Sequence, residues 1–356
     1  MTITLDTVRA FAATHSLFAT SSVGNAVKRL GFVQADPIQA PARAQDLILR
    51  QRVKDYRAGD LERRYPKLKL DEEVLHVYGY MPSTLVPLLH PRPGRRIDRE
   101  HPTLSDGILD FVKSNGLTSH RDLEKLFGNT RVRGDWGNQA KATTLALDSL
   151  HYRGRIRVAH RNGNERFYTV VAREACALSP TERLRELVMV LMGLYAPMSL
   201  PAVRMLVARL GYAAPSLDGR RTIVKELLAS GELVRAEVDD MPYFWPAKTK
   251  FDERDDGQVR LLAPFDPIVY DRVRFEHLWG WLYRFEAYTP AAKRKLGYYA
   301  LPLLWQHRVI GWANVSVQDG KLRAQAGFVN GRPTDKAFKL ALDEELARMR
   351  YFLGVD

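Results

Sequence analysis

The segment Gln34-Ala35-Asp36 brings an amide and a carboxylate to within two residues of each other. The apolar residues around it predict a short strand, and side chains at positions i and i+2 of a strand point to the same face. A carboxylate held in this way can accept a proton from water, and the amide beside it can hold that water. The spacing predicts a water-activating site with Asp36 and Gln34 as catalytic residues. The alternative is the solvent face of an ordinary strand, because polar pairs at this spacing are common.

Two predicted helices hold this segment in place. The first is Val23–Leu30, capped by a serine and ended by Gly31. The second covers residues 42–50 and carries Arg43 and Arg50 at its ends. Since both arginines lie close to the predicted site in sequence, they are candidates for contact with an anionic partner.

The net charge of the chain indicates which class of partner it binds. The chain has 356 residues, with 54 Lys and Arg against 41 Asp and Glu, so the formal net charge is +13. A globular chain this basic is a candidate for a polyanionic partner, nucleic acid before membrane. The alternative is a basic enzyme whose surface charges are scattered. The length predicts two to four domains.

Several classes of site are excluded by composition and spacing. Cys176 is the only cysteine, which excludes an internal disulfide and a cysteine-rich metal site and indicates a reducing compartment. The histidines lack the spacing of a metal-binding helix, and no phosphate-binding glycine loop occurs. The most apolar run, residues 187–198, is too short to span a membrane. We therefore expect no metal, no cofactor, no membrane association and a cytoplasmic location.

Residues 104–171 predict a helix-turn-helix followed by a two-stranded wing, with a third helix starting at Asn138. The pattern then returns, since Gly231 follows Gly154 by 77 residues and each glycine ends the last helix before a wing. The segment around Gln34 and Asp36 is interpreted as a diverged further copy.

The predicted fold class is α+β, with three tandem winged helices and a small β-rich domain. The domains are residues 1–95, which carry the Gln-x-Asp pair, then 96–175, 176–250 and 251–356. The last is predicted to be a small sheet or barrel, with strands at 259–263, 281–288, 297–305, 308–317 and 321–328 and a closing helix from Thr334 to Tyr351. Asp266 and Asp271 are explained by a turn and by pairing with Arg272 or Arg274.

Three stretches together resemble the YcaQ/AlkZ-type winged-helix DNA glycosylases, a crosslink-repair family. They are the QAD segment, the ARAQDLIL helix and the block from LLAPFDPIVYDR to YRFEAYTPAAKRKLGYYALPLL, which is the most specific. The resemblance covers nearly the whole chain. It implies a member of the Gln-x-Asp subgroup that removes bulky N7-alkylguanines from double-stranded DNA and unhooks interstrand crosslinks, acting as a monomer at the nucleoid.

The resemblance also implies further site residues. In this family a hairpin of the C-terminal domain probes the DNA, and by position it matches residues 304–308. The expected DNA contacts are therefore Gln306, His307 and Arg308, together with Arg43 and Arg50.

One segment departs from the family pattern. YcaQ-like members carry a Trp-Ala-His-Glu-Ala-type sequence where residues 76–82 of this chain read HVYGYMP. Here we expect Tyr78 and Tyr80 to line the pocket.

A purine alkylated on a ring nitrogen is a good leaving group, so the enzyme needs no strong general acid. What remains is to stabilise an oxocarbenium-like sugar and to place a water, and a carboxylate can do both. No lysine falls at the Gln-x-Asp motif, which predicts a monofunctional enzyme with water as nucleophile. The alternatives are a non-catalytic DNA-binding regulator and a protein-binding scaffold built from the same winged helices.

Overall fold

The computed structural model describes residues 3–134, 137 and 139–356. It contains α-helices and small antiparallel sheets, which confirms the predicted α+β class. The helices are α1 (Leu5–Ser16), α2 (Val23–Leu30), α3 (Ala44–Leu49), α4 (Asp60–Arg64), α5 (Arg96–Glu100), α6 (Pro102–Asn115), α7 (His120–Phe127), α8 (Ala142–Tyr152), α9 (Pro180–Leu194), α10 (Leu200–Ala213), α11 (Ile223–Ala229), α12 (Pro267–Tyr270), α13 (Arg272–Trp279) and α14 (Lys336–Leu353). The strands are β1 (Val33–Gln34), β2 (Leu70–Val74), β3 (Tyr78–Pro82), β4 (Thr118–Ser119), β5 (Arg131–Arg133), β6 (Gln139–Lys141), β7 (Ile156–Asn162), β8 (Glu165–Val170), β9 (Met198–Ser199), β10 (Leu233–Val238), β11 (Met241–Pro246), β12 (Arg260–Leu261), β13 (Leu301–Trp305), β14 (Arg308–Gln318) and β15 (Lys321–Phe328).

The chain forms two compact units. The first unit contains residues 1–61, 188–208 and 221–356, and the second contains residues 62–187 and 209–220. The first unit therefore combines the N-terminal segment, with Gln34 and Asp36, and the C-terminal region. The four-domain division with boundaries at 95, 175 and 250 stays a prediction.

In the second unit, the elements from α6 to β8 follow the order predicted for a winged helix. Helices α6, α7 and α8 are joined to a three-stranded antiparallel sheet in the order β4-β8-β7. Helix α8 begins at Ala142, and Asn138, where we predicted its start, lies outside the described residues. The number of winged helices along the chain stays a prediction.

The first unit contains two antiparallel sheets, β10-β11-β9 and β12-β13-β14-β15. Within the described part of the chain no pairing joins β12 to β15, so the second sheet is open and not the barrel given as an alternative. Helix α1 contributes to two cores of this unit. Phe11 packs among Trp245 and Leu278, and Ala13 packs with Phe275 and other residues of the C-terminal region.

Three features of the C-terminal region differ from the prediction. Residues 281–288 form no strand, because the indole of Trp281 hydrogen-bonds to the Val309 carbonyl at 2.9 Å and its neighbours pack as an aromatic cluster. Helices α12 and α13 were not predicted. The closing helix is capped by Asp335, whose carboxylate accepts the Ala337 N–H at 2.7 Å, and not by Thr334.

Candidate active site

Asp36 lies outside the strand that carries Gln34. Strand β1 stops at Gln34, so the prediction that both side chains project from one strand is wrong. Pro37 has no N–H to continue a strand ladder. Instead, Asp36 Oδ1 accepts the Ile38 N–H at 2.9 Å, a side-chain turn typical of aspartate. This turn, and not strand pleating, fixes the carboxylate.

The Asp36 backbone is held from α3. The Asp36 N–H donates to Gln45 Oε1 at 3.3 Å, and Gln45 is 3% exposed. Helix α3 is itself anchored by Asp46, which accepts the Tyr56 hydroxyl at 2.6 Å and the Gly59 N–H at 3.0 Å. The loop that carries Asp36 is therefore attached to a buried helix.

Burial makes Asp36 a stronger base than an exposed aspartate. The residue is half-buried, and desolvation raises the pKa of its carboxyl, while the hydrogen bond from the Ile38 N–H opposes the rise. Gln34 is also half-buried, and its Oε1 is buried without a hydrogen-bond partner among the described residues. Both side chains therefore keep acceptor capacity that the protein itself does not use.

A groove of about 840 Å³ adjoins the Asp36 loop. The loop residues Gln39, Ala40 and Pro41 line it, and so do Tyr298 and Tyr299 with residues of β14 and β15. Tyr299 is 4% exposed, and its hydroxyl has no hydrogen-bond partner in the part of the chain described. Burial and then the charge of Asp36 raise the pKa of Tyr299. No lysine is among the described residues that line the groove.

The two arginines that follow α3 are paired inside the first unit. Arg50 donates to both carboxylate oxygens of Glu345, at 2.9 and 3.2 Å, and its side chain is 4% exposed. The DNA contact predicted for Arg50 stays a prediction and would require this pair to open. Arg52 donates to both oxygens of Asp266, and neither side chain is exposed. Arg43 is half-buried and immediately precedes α3.

Asp266 has a different partner from the one predicted, and Asp271 bonds the backbone N–H of Arg274 and not its guanidinium. Asp266 pairs with Arg52 and not with an arginine of its own segment. Asp271 caps α13 by accepting the Arg274 N–H, and it also accepts the Ser199 N–H and hydroxyl at 2.9 Å. Both residues are therefore structural.

The predicted DNA-probing hairpin is present as a two-residue turn between β13 and β14. Gln306 and His307 have positive φ of 48° and 59°, the conformation of a type I′ hairpin turn. The His307 carbonyl accepts the Trp279 indole N–H at 3.0 Å, which steadies the turn. Gln306 and Arg308 are exposed, and Arg308 pairs with Asp6 at 2.8 Å. The turn lines a second cavity of about 460 Å³ and does not line the groove beside Asp36.

Tyr78 and Tyr80 lie in the second unit, among buried charges. The Tyr78 hydroxyl donates to Glu72 at 2.5 Å, and Arg161 donates to both oxygens of the same carboxylate. Tyr80 is 1% exposed. Burial, then the charge of Arg209, lowers the pKa of His76 to about 3, so this histidine is neutral at physiological pH. The pocket role of the two tyrosines stays a prediction.

Sequence reasoning missed two residues of this site. Gln45 is a lone amide in an otherwise largely apolar helix, and a polar residue on a buried face is the signal that marks it. Tyr299 has no local signal, because nothing in the sequence links it to a carboxylate far away near the N-terminus.

No group of three or more His, Cys, Asp or Glu side chains is placed to hold a metal ion within the described ranges. No helix of the described residues is long and apolar enough to cross a membrane.

Comparison with known proteins identifies the family. No solved structure matches the chain. The model of the AlkZ-like DNA glycosylases matches residues 27–352, which include Gln34, Asp36, the groove and the hairpin. The chain therefore belongs to the AlkZ-like family of DNA glycosylases.

Proposed function

We propose that this protein is a monofunctional DNA glycosylase that hydrolyses the N-glycosidic bond of N7-alkylated purines in double-stranded DNA. The same reaction at a crosslinked N7-alkylguanine would unhook an interstrand crosslink. The observation that carries the proposal is Asp36, a half-buried carboxylate fixed by the Ile38 N–H and by Gln45 beside a groove, in a chain of this family.

The proposed reaction needs one carboxylate in two roles. As the bond to the cationic base breaks, positive charge develops on the sugar, and Asp36 stabilises it electrostatically. Asp36 then accepts a proton from the water that attacks the sugar on the opposite side from the base. Because burial raises the pKa of Asp36, its carboxylate is a better proton acceptor than an exposed one. Gln34 positions the water or the sugar.

Water is the proposed nucleophile because the groove supplies no amine. The residues described along the groove wall include Arg323 but no lysine, and an arginine does not form a Schiff base under these conditions. Borohydride treatment during turnover should therefore trap no covalent protein–DNA adduct. A trapped adduct would contradict the monofunctional mechanism.

The proposed DNA contacts combine a general positive field with the hairpin. The net charge of +13 attracts the phosphate backbone, and Gln306, His307 and Arg308 present an exposed turn to it. Arg43 adds a cation close in sequence to Asp36. We leave Arg50 out of this set because its guanidinium is held by Glu345.

The test is base release from duplexes that carry N7-methylguanine or a nitrogen-mustard crosslink, with wild type, Asp36→Asn and Gln34→Ala. We expect release by wild type, a loss of at least about 100-fold in Asp36→Asn and a smaller loss in Gln34→Ala, in the range typical of general base catalysis. Asp343→Asn on α14 is the matched control, because Asp343 is exposed in the same unit and the substitution is the same. Full activity in Asp36→Asn would refute the role of Asp36. Tight DNA binding without release of any of these bases would favour a non-catalytic regulator.

A further inference from the structure

We propose that the Tyr299 hydroxyl is a catalytic group that donates a hydrogen bond to the attacking water, which in turn donates to Asp36 and Gln34. This inference rests on the proposed function. It adds a third residue, from the other end of the chain, to the pair that the sequence motif provides.

The first observation is that one polar atom of Gln34 and one of Tyr299 have no hydrogen-bond partner among the described residues. Gln34 Oε1 and Tyr299 Oη are both buried and unbonded within the described residues. A buried polar atom without a hydrogen bond costs about 1 to 3 kcal/mol, so such atoms are rare without a function. Tyr299 makes the stronger case, since the residue is only 4% exposed.

The second observation is the relation between Tyr299 and Asp36. Tyr299 lines the groove together with Gln39 and Pro41, which belong to the loop that carries Asp36. The charge of Asp36 also acts on the Tyr299 hydroxyl. No direct hydrogen bond joins the two side chains, although each has capacity for one. A water molecule can join two polar groups of this kind.

The third observation is that Tyr299 is rigidly placed. The buried carboxylate of Glu286 accepts the backbone N–H groups of Lys295, Leu296 and Gly297 at 2.8, 2.7 and 3.3 Å. From β14, Asn314 donates to the Leu296 carbonyl at 2.7 Å. The loop before Tyr299 is therefore fixed on both sides, as a catalytic group requires.

The hydrogen-bonding groups of Asp36, Gln34 and Tyr299 together match those of one water molecule. Water has two O–H donors, which Asp36 and Gln34 Oε1 can accept, and the Tyr299 O–H can donate to its oxygen. One lone pair of the water then remains for attack on the sugar carbon. The new C–O bond forms as the C–N bond breaks, the water proton passes to Asp36, and the electron pair of the C–N bond leaves with the base and neutralises it.

Tyr299→Phe tests the proposal because it removes one oxygen atom only. We expect kcat for N7-methylguanine release to fall about 3- to 10-fold, the loss expected for one neutral hydrogen bond, with KM unchanged. The melting temperature should stay the same or rise, because the lost hydroxyl has no hydrogen-bond partner in the described part of the chain. Tyr351→Phe is the matched control, since Tyr351 lies on α14 of the same unit, is 46% exposed and does not line the groove, and we expect wild-type kcat.

A double-variant comparison separates a shared water from a general loss of structure. If Tyr299 and Gln34 hold the same water, Tyr299→Phe should reduce kcat much less in the Gln34→Ala background than in wild type. Equal effects in both backgrounds would overturn the shared water, and wild-type kcat in Tyr299→Phe would overturn any role in catalysis. These results differ from a failure of the proposed function, in which wild type releases no base or Asp36→Asn remains active. If wild type releases no base, the proposed role of Tyr299 fails together with the proposed function.

Discussion

The ion pair of Arg52 with Asp266 should be among the most costly to break in the first unit. Arg52 uses all five N–H donors. Two bind the Asp266 oxygens at 2.8 and 3.0 Å, two bind the Ser16 carbonyl and hydroxyl at 2.9 and 2.8 Å, and one binds the Ile48 carbonyl at 2.7 Å. Neither charged side chain is exposed to solvent. The pair therefore links α1 and the end of α3 to the C-terminal region.

Arg52→Met should lower the free energy of unfolding by about 3 to 5 kcal/mol, because it leaves the Asp266 carboxylate buried and uncompensated. The three other acceptors lose their donor as well. With a urea dependence of about 3 kcal/mol per molar, that loss moves the unfolding midpoint down by about 1 to 2 M. Asp266→Asn should cost a comparable amount, because it leaves the Arg52 cation without its counter-ion.

The double variant Arg52→Met with Asp266→Asn gives the sharpest test. Asparagine keeps the side-chain oxygen that accepts the Ile268 N–H at 3.1 Å, so the cap of α12 survives while the buried charge is removed. We expect the double variant to be several kcal/mol more stable than the sum of the single losses predicts.

The assay is urea unfolding followed by circular dichroism, because urea is uncharged and does not screen ion pairs. Arg254→Met is the control, since Arg254 pairs with Asp252 but is 89% exposed, and its midpoint should not move. If the Arg52 and Asp266 losses add within about 0.5 kcal/mol, the two charges are not coupled and the reasoning is refuted.

Three further predictions concern the site. Activity needs the Asp36 carboxylate, and burial raises its pKa above the ordinary aspartate value of 3.8. As the pH is lowered, kcat/KM for base release should therefore begin to fall while the pH is still above 3.8, and the residual rate of Asp36→Asn should not show this fall. Arg308→Ala should weaken DNA binding, measured by fluorescence anisotropy, and should reduce the slope of log K against log salt by about 1. Lys336 is an exposed cation on α14, so Lys336→Ala should leave this slope unchanged if the hairpin is the DNA contact. Gly297→Ala should lower both the melting temperature and the rate of base release, because Gly297 has φ +119° and an added methyl group would meet the Asn314 amide. Unchanged values would show that the loop before Tyr299 adapts to the methyl group.

Local elements were predictable where the chain carries its own signals. Helix α2 runs over Val23–Leu30 as predicted, since Ser22 accepts the Asn25 N–H at its start and Gly31 adopts φ +75° at its end. Residues 281–288 show the limit, because alternating aromatic residues predict a strand. In the structure their side chains, and not their backbone, bond to β14, as Trp281 does with the Val309 carbonyl.

The proposed catalytic pair can be found in the sequence, but its geometry cannot. The spacing of Gln34 and Asp36 singles out these two residues, while the assumption of one continuous strand failed at Pro37. Two other residues are brought to Asp36 by tertiary packing. Gln45 accepts the Asp36 backbone N–H, and the charge of Asp36 raises the pKa of Tyr299. No periodicity in the sequence encodes a contact between residues at opposite ends of the chain.

The buried polar groups of this protein differ in how many of their hydrogen bonds are made. Every donor of Arg52 is used, so this buried cation has no capacity left for a substrate. Gln34 and Tyr299 are the opposite case, since each keeps a buried polar atom unbonded within the described residues, and Tyr299 also lines the groove. An unbonded atom alone is not enough, because the Tyr80 hydroxyl is also unbonded but Tyr80 does not line the groove. The combination of an unused donor, an unused acceptor and a base of raised pKa is what hydrolysis requires, and among these buried groups it occurs beside Asp36.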